Sequence, residues 1–295
     1  MKHEFSFSRG HKLGRRCNKS TPKYASVPVQ PTIDQVTSLE NSAAPAEEAQ
    51  QTAVAAAAAQ RDSWRSARLN ALTSAQGNLA LIQTRWLPVG ETLSDEDALA
   101  GQPDTVVVTR LQRTNLETGA DEFGVRLWDS NSAAIVNFET VTLFDFAPEW
   151  VIEAEFTPVA NDRAIPFEHI RDNGGSRDLI VPGDITFTLD QVDYRLSAFD
   201  DGGTLLLVFG DATNGRDGAN GTYESGRFLF VERPESGTQF NAAGTVVLDF
   251  NKAFVPPCGF SNEYNCPLPP RNNRFAEEVT AGEKRVVFTG GFQLH

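Results

Sequence analysis

The chain has 295 residues, a net charge of −13 and a hydrophobic content of 40%, which is enough for one large packed domain or two small ones. The first 60 residues hold 7 Lys and Arg against 5 Asp and Glu, which leaves 19 against 34 for residues 61–295. Because nucleic-acid binding draws most of its affinity from basic side chains that meet phosphates, this acidity argues against nucleic acid as a partner.

Cysteine content and apolar run length indicate a compartment. Three cysteines do not form a disulfide framework, and no apolar run reaches the length of a membrane span, so no membrane partner is predicted. The basic N-terminus also lacks the apolar stretch that follows in a secretory signal. We therefore predict a cytoplasmic protein, and the sequence specifies no oligomeric state.

The N-terminal part of the chain predicts a tail followed by a helix. Residues 1–45 are rich in Ser, Pro, Thr and Lys and poor in large apolar side chains, which predicts a disordered tail. Residues 46–76 are rich in the helix formers Ala, Gln, Glu and Arg. Trp64, Leu69 and Leu72 fall on roughly one face of this helix, so we expect it to pack on the outside of the following domain.

The chain from residue 77 onward consists of short β-branched or aromatic runs separated by turns. These runs are TVVVTRLQR, FGVRLWDS, WVIEAEF, ITFTL, YRLSAF, TLLLVFG, RFLFV, TVVLDF and RVVFTG. Asp201, Gly202 and Gly203 suit the tight turn of a hairpin. Without long amphipathic helices between the strands, the pattern predicts a single mainly β domain over residues 77–295, an antiparallel β-sandwich or a partly open β-barrel.

The stretch LDFNKAFVPPCGFSNEYNCPLPPRNNRF, residues 248–275, begins like a buried strand and then loses regular structure; we call it the proline–cysteine segment. Its five prolines fix φ and remove amide donors, so the segment cannot extend a sheet. Two interpretations stay open: a rigid surface for binding, or a plug that covers unpaired strand edges.

The two cysteines of this segment, Cys258 and Cys266, have seven residues between them, which is longer than the knuckle of a structural zinc site. With only four His in the chain, neither a metal nor a cofactor is predicted. The favoured interpretation is two buried thiols that act as small hydrophobes, although a disulfide across the loop is geometrically possible. A catalytic thiolate would need a nearby cation such as Lys252, Arg271 or Arg274.

Polar residues at the strand end predict a site at the rim of the sheet. Asp249 and Asn251 share one face of the strand VVLDFN, a face that begins apolar. Arg227, Arg274 and Glu283 are the expected partners if the neighbouring motifs converge. A buried Asp–Arg pair that only holds the segment in place is the structural alternative.

The motifs together resemble a bacterial family of unknown function, DUF1684. The resemblance covers roughly residues 60–290 and implies no activity. It is carried by DSWRSARLNALTS, LALIQTRWLPVG, RLWDSNS, FAPEWVIEAEFTPV, TYESGRFLFV (222–231), LDFNKAFVPPCGFSNEYNCPLPPRNNR (248–274) and AGEK (281–284).

Three functional hypotheses follow from the residues. The first is a small-molecule-binding β domain with a polar pocket under the proline–cysteine segment, since barrel mouths often bind small molecules. Its candidate lining residues are Tyr223, Arg227, Asp249, Asn251, Cys258, Cys266, Asn273 and Arg274. The second is a hydrolase-like enzyme in which Asp249 or Glu283 is the general base and Arg274 stabilises a developing anion. The third is a purely structural protein.

Overall fold

A computed structural model describes residues 36–115, 118–171, 176–233 and 240–294. The chain divides into two compact units, residues 1–50 and 51–295. The predicted tail, as far as residue 35, lies outside the described residues, and so does Cys17.

The predicted helix is present as α1, Val36–Leu72, with an earlier start and an earlier end than the sequence indicated. Past its end, the Thr73 hydroxyl donates to the Leu69 carbonyl at 3.3 Å, and the Ser74 hydroxyl donates to the Ala71 carbonyl at 2.9 Å. Such local side-chain hydrogen bonds compete with continuation of the helix. The helix therefore ends before the predicted residue 76.

The C-terminal turns of α1 dock through an apolar face, as expected from the sequence. Leu72 is 2% exposed and belongs to a cluster with Val141, Val255 and Phe260, while Leu69 packs against the same cluster. Burial of this face, at about 1.5–3 kcal/mol per large apolar side chain, holds this end of the helix against the β domain.

The strands and short helices follow α1 in chain order. The helices are α2 (Asp95–Leu99) and α3 (Ala133–Asn137). The strands of the described residues are β1 (Leu81–Trp86), β2 (Val106–Thr114), β3 (Asp121–Asp129), β4 (Phe138–Leu143), β5 (Val151–Glu168), β6 (Ser176–Leu189), β7 (Val192–Asp200), β8 (Leu205–Phe209), β9 (Arg227–Phe230), β10 (Gly244–Asp249) and β11 (Glu283–Phe288).

The strands form antiparallel sheets. One sheet has the order β1-β3-β2, the large sheet has the order β10-β5-β6-β7-β8-β9, and β11 pairs with β4. An antiparallel bridge between Glu232, just after β9, and Val247 of β10 joins the two ends of the six-stranded sheet. The sheet thus curls into a partly open barrel, and the predicted mainly β fold is confirmed.

The β7–β8 hairpin turns where the sequence predicted it. The Asp201 amide donates to the Thr204 carbonyl at 2.8 Å, and the Gly203 amide donates to the Asp200 carboxylate at 2.6 Å. Gly202 and Gly203 have φ of +64° and +94°, values that favour glycine because it has no Cβ. The two glycines therefore fix the register of β7 against β8.

The core lies inside the curled sheet and is built largely from aromatic rings. Phe250 contacts Phe209 and Phe275 edge-to-face, with ring centroids 5.1 Å and 5.6 Å apart. Phe250 directly follows the last residue of β10, and Phe275 is the last residue of the proline–cysteine segment. Both ends of the segment are therefore anchored in the same core.

Between these anchors the proline–cysteine segment runs along the edge of the six-stranded sheet. Phe254 exchanges two backbone hydrogen bonds with Phe228 of β9, at 2.8 Å and 2.9 Å. Arg274 forms a parallel bridge with Gly210, just after β8. Beyond Asp249, where β10 ends, the segment makes isolated bridges and no continuous ladder, which agrees with its proline content. It covers part of an otherwise unpaired edge.

Candidate functional site

The entrance of the proline–cysteine segment is built on hydrogen bonds of Asp249 and Asn251. The Asp249 carboxylate caps the short 3-10 turn that follows, accepting from the Asn251 amide at 3.2 Å and from its Nδ2 at 3.1 Å. The Asn251 side chain also bonds both the amide and the carbonyl of Ala147, at 2.8 Å and 2.9 Å. Both predicted site residues therefore tie the segment to the chain that enters β5.

Lys252 ends this turn and carries a fixed positive charge. Its ammonium lies 2.7 Å from Glu232 Oε1 and 3.2 Å from Asp249 Oδ2. Burial lowers the pKa of Lys252, but the hydrogen bond that Lys252 donates to Glu232 and the charges of Asp249 and Glu232 outweigh it, so the pKa is raised. These surroundings therefore favour the charged ammonium form of Lys252.

A groove of about 340 Å³ lies between α1 and this turn; we call it the Trp64–Lys252 groove. Phe230 is 46% exposed there, with its ring stacked on Phe254 at a centroid distance of 5.3 Å. The groove is lined by Gln60, Trp64, Leu229, Phe230, Glu232 and Lys252. It combines aromatic side chains with an ion pair, a mixture typical of small-molecule sites.

Arg227, predicted as a pocket residue, is instead fully buried. Its guanidinium pairs with Asp211 at 2.8 Å, and neither side chain has any exposed surface. It also donates to the carbonyls of Val279 at 2.7 Å and Ala281 at 2.5 Å, while its Nε finds no hydrogen-bond partner in the described part of the chain. Desolvation lowers the pKa of Arg227, opposed by Asp211. Arg227 thus holds the chain before β11 against the loop after β8.

Glu283 is buried in a second ion pair, with Arg68 of α1. Arg68 Nε lies 2.6 Å from Glu283 Oε1, and the other carboxylate oxygen accepts from the Val255 amide at 2.8 Å. Arg68 also donates to the Val255 carbonyl at 2.8 Å and lies 4.5 Å from the ring centroid of Phe254. This pair connects the helix, the proline–cysteine segment and β11.

The cysteines of the segment form what we call the thiol pair, Cys258 and Cys266, both buried and not disulfide-bonded. The Cys258 amide donates to Cys266 Sγ at 3.3 Å, and the Tyr223 hydroxyl donates to Cys258 Sγ at 3.6 Å. A hydrogen bond from Cys266, supported by one from Tyr223, lowers the pKa of the Cys258 thiol, whereas the same contact with Cys258 raises the pKa of Cys266. Burial raises the pKa of Tyr223, so its hydroxyl stays protonated and can donate.

Asn273 and Arg274, at the exit of the segment, have different environments. Asn273 is fully buried: it accepts from the Ser197 amide at 2.9 Å and donates to the carbonyls of Ser197 and Val208 at 2.8 Å and 2.9 Å. Arg274 is exposed at the surface. Asn273 therefore has a positional role across β7 and β8.

The structure gathers the predicted site residues into separate groups instead of one pocket. Asp249 and Asn251 share one turn, and Tyr223 joins the thiol pair, whereas Glu283 and Arg274 have different surroundings. Neither the predicted pocket residues nor the predicted carboxylate bases line the Trp64–Lys252 groove.

Some residues of the groove and of the buried ion pairs do not belong to the predicted site. Lys252 adjoins Asn251 and was considered only as a cation for a thiolate, and Trp64 was predicted only as a docking residue of the helix. Asp211 and Arg68 carried no signal, because their partners, Arg227 and Glu283, are distant in sequence.

The described residues contain neither a metal-binding cluster nor a membrane-spanning helix. Within these ranges, no three His, Cys, Asp or Glu side chains come close enough together to hold a metal ion. None of the helices there has the length and apolar character needed to span a membrane.

Comparison with known proteins gives a family. Residues 136–284 match the model of the family described as "Protein of unknown function (DUF1684)", and the chain belongs to this family. It is also similar to the solution NMR structure of an uncharacterized protein from Haloarcula marismortui, at 29% identity and a TM-score of 0.40, over 50% of this chain and 77% of that one. No curated protein matches the sequence.

Proposed function

We propose that this DUF1684 member is a small-molecule-binding β domain whose ligand occupies the Trp64–Lys252 groove, at the entrance of the proline–cysteine segment. The proposal rests on one observation: Trp64, Phe230 and the Lys252–Glu232 ion pair line the same groove of about 340 Å³. Ligand sites of this kind are mainly apolar, with a few polar groups that fix orientation.

The polar residues of the groove suit an aromatic ligand with a hydrogen-bond acceptor and a donor side by side, as in a primary amide. The Lys252 ammonium has three N–H donors, two of which meet Glu232 and Asp249, and no further acceptor within the described ranges bonds to it. Glu232 is half exposed and has a second carboxylate oxygen that can accept. A ligand acceptor facing Lys252 beside a ligand donor facing Glu232 satisfies both groups.

Local charge favours a neutral ligand over an anion. Lys252 contributes one positive charge, while Glu232 and Asp249 contribute two negative charges within 3.2 Å of it. A carboxylate on the ligand would meet this net negative charge in a partly desolvated site. We therefore expect aromatic amides to bind and the corresponding aromatic carboxylates to bind more weakly.

A larger cleft, of about 570 Å³, lies against β2 and β3 and is the main competing site. It is lined by Leu87, Glu91, Thr92, Leu93, Arg110, Leu111, Gln112, Phe123 and Gly124. All residues that line this cleft precede residue 136, where the family match begins. Most residues that line the Trp64–Lys252 groove lie inside the matched range, residues 136–284. We place the ligand in the smaller groove for this reason.

The carboxylates proposed as general bases have structural partners. Asp249 caps a turn and neutralises Lys252, and Glu283 is committed to Arg68 and the Val255 amide. These contacts lend no support to the hydrolase hypothesis.

The test is a binding titration with nicotinamide and nicotinate, which differ only in amide against carboxylate. Ligand entry is followed by tryptophan fluorescence and by the thermal unfolding midpoint. Nicotinamide is expected to bind at least about tenfold more tightly than nicotinate, and Lys252→Met to weaken nicotinamide binding about 10- to 100-fold through loss of a charge-assisted hydrogen bond. Lys284→Met is the matched lysine control, because Lys284 donates to Ala219 and does not line the groove.

A second pair of variants locates the ligand. Trp64→Phe should remove most of the fluorescence response to nicotinamide, whereas Trp86→Phe, which alters a tryptophan of β1 beneath Arg113, should retain it. Equal binding of nicotinamide and nicotinate, or loss of the response in Trp86→Phe alone, would reject the groove as the site. Absence of binding across a wider panel of ring amides would reject the proposed ligand class.

A further inference from the structure

The thiol pair does not line the Trp64–Lys252 groove and has no role in the proposed ligand binding. Cys258 lies in the 3-10 turn Pro257–Gly259, and Cys266 directly precedes Pro267, so prolines stiffen the chain beside each sulfur. The backbone amide of Cys258 already contacts Cys266 Sγ at 3.3 Å. The two side chains therefore meet in the folded protein, although seven residues separate them.

The chain around the pair is fixed from both sides. The Cys266 carbonyl accepts from the Ile170 amide at 3.0 Å, and the Gly259 amide donates to the Pro256 carbonyl at 2.9 Å. A Cβ on Gly259 would lie 2.4 Å from Val255 Cγ1, which shows how closely this turn packs. The Cys266 sulfur is thus held beside the Cys258 turn by a chain that is packed on both sides.

The surroundings distinguish the two sulfurs chemically. The groups that act on Cys258 are the Cys266 thiol, the Tyr223 hydroxyl and, at longer range, the Arg171 guanidinium, and each of them favours the thiolate over the thiol. Burial opposes ionisation of both thiols. The contact with Cys258 and burial raise the pKa of Cys266, so it retains its proton. Tyr264, which also interacts with Cys266, stays protonated because burial raises its pKa to about 12.

We propose that Cys258 and Cys266 are a redox modification site that closes to an intramolecular disulfide when the protein meets hydrogen peroxide. Cys258 is the nucleophile, Cys266 is the resolving thiol, and Tyr223 is the positioning residue that donates to the nucleophilic sulfur.

The reaction proceeds in two balanced steps. The Cys258 thiolate attacks one oxygen of hydrogen peroxide, the O–O bond breaks, and the departing hydroxide takes a proton to leave as water; Cys258 becomes a sulfenic acid. Cys266 Sγ then attacks the Cys258 sulfur, the S–O bond breaks, and the second oxygen leaves as water with the Cys266 proton. The two thiols together lose two protons and two electrons, and hydrogen peroxide takes up both to become two waters.

Burial restricts which oxidants can reach the pair. Cys258 is 4% exposed and Cys266 is 6% exposed, so a bulky aromatic disulfide reagent has no surface to attack in the folded protein. Hydrogen peroxide is little larger than water, so it needs far less exposed sulfur than a bulky reagent does. The site is therefore selective for small oxidants.

The first test follows the fate of both thiols in the full chain carrying Cys17→Ser, which removes the remaining cysteine. The protein is treated with hydrogen peroxide, denatured, alkylated and weighed intact. The expected result is a joint loss of both alkylatable thiols and of the mass of two hydrogen atoms, reversed by a dithiol reductant. Retention of two alkylatable thiols, or independent gain of oxygen at either cysteine, would overturn the proposal.

The resolving role is tested with Cys266→Ser in the same background. A Cys258 sulfenic acid should then accumulate and be trapped by dimedone, whereas Cys258→Ser should yield no dimedone adduct at Cys266. Trapping at Cys266 in preference to Cys258 would reverse the assignment of nucleophile and overturn it. Dithionitrobenzoate serves as the bulky reagent: it should leave the folded protein unmodified and react only after denaturation.

The role of Tyr223 is tested with variants that leave both cysteines in place. Tyr223→Phe should slow disulfide formation by roughly three- to tenfold and move the midpoint of its pH–rate profile upward, because one donor to the Cys258 thiolate is lost. Tyr264→Phe is the matched control, since its hydroxyl donates to Asn78 at 3.4 Å. An unchanged pH–rate profile in Tyr223→Phe, or an equal upward shift in Tyr264→Phe, would remove Tyr223 from the site.

Discussion

Two ion pairs near the six-stranded sheet and the proline–cysteine segment are almost completely buried, whereas two ion pairs of the three-stranded sheet of β1, β2 and β3 are partly or largely exposed. The side chains of Arg227 and Asp211 are fully buried, and Glu283 is 2% exposed beside Arg68. On the three-stranded sheet, Arg113 and Glu122 are 36% and 29% exposed, and Arg110 of β2 and its partner Asp95 of α2 are more than half exposed.

The difference shows where charge acts as a structural connection. A buried ion pair costs desolvation, and that cost is recovered only when both partners and their hydrogen bonds are in place. An exposed pair is solvated whether or not it forms, and it contributes about 0–1 kcal/mol. The irregular chain around the proline–cysteine segment lacks a continuous ladder, so buried side-chain pairs perform the function that backbone ladders perform elsewhere.

Removal of the Asp211 charge should give the largest effect. Asp211→Asn leaves the Arg227 guanidinium buried without its counter-charge, and we expect a loss of about 3–5 kcal/mol in the free energy of unfolding. Urea unfolding measures this quantity. Asp95→Asn, in the exposed pair with Arg110, is the matched control and should cost at most about 1 kcal/mol.

The double variant Asp211→Asn with Arg227→Met separates the effect of the Arg227 charge from that of its hydrogen bonds. Because it removes both charges, it should be more stable than Asp211→Asn alone, even though it loses the hydrogen bonds of Arg227. If the double variant is less stable than the single one, the bonds from Arg227 to Val279 and Ala281 matter more than its charge.

Glu283 should give an intermediate effect, because its partner Arg68 is partly exposed. Glu283→Gln keeps the side-chain volume and one acceptor but removes the charge beside Arg68, which should cost about 2–3 kcal/mol in the free energy of unfolding. Glu122→Gln makes the same chemical change in the exposed pair with Arg113 and should cost under about 1 kcal/mol. Equal losses in the two variants would contradict the distinction between the two regions.

The sequence predicts most of the fold because each strand with a strong apolar pattern carries its own signal. All the quoted runs from TVVVTRLQR to RVVFTG coincide with strands β2, β3 and β5 to β11. No run predicts β1 or β4, because only Leu81 of LIQTRW and only Val141 of FETVTL are buried. β5 extends beyond the predicted WVIEAEF and through Pro158, which lies where the pairing with β6 shifts register and an amide donor is not needed.

The site was less predictable than the fold, because its partners are distant in the chain. A buried Asp–Arg pair was anticipated, but sequence alone could not indicate that Asp211 is the partner of Arg227. Lys252 and Asp249, three residues apart, were the one charged contact that local spacing could have suggested. The approach of Trp64 to Lys252 depends on the docking of α1, which tertiary packing decides.

Substitution of Asp184 in β6 should give the smallest loss of stability of these variants. Asp184 is buried, like the side chains of Asp211 and Glu283, but its arginine partners reach the solvent, as the charged residues of the three-stranded sheet do. It is 6% exposed and pairs with Arg163 at 2.5 Å and with Arg195, both of which are partly exposed. Burial raises the pKa of Asp184, but the hydrogen bonds and charges of Arg163 and Arg195 outweigh it, so the pKa lies below its ordinary value of 3.8.

The sign of this shift fixes the pH dependence. A folded-state pKa below the unfolded value of 3.8 stabilises the fold above that pH, and the contribution is lost as the pH falls through the folded-state pKa. Asp184→Asn should therefore cost about 1 kcal/mol at neutral pH, in the range of partly exposed pairs, and progressively less below a pH of about 3.8. Urea unfolding of both proteins from neutral pH down to about pH 3 measures the difference. A difference that stays constant over this range would mean that the charge of Asp184 contributes nothing to stability, and that Asp184 acts through uncharged hydrogen bonds, as Asn273 does.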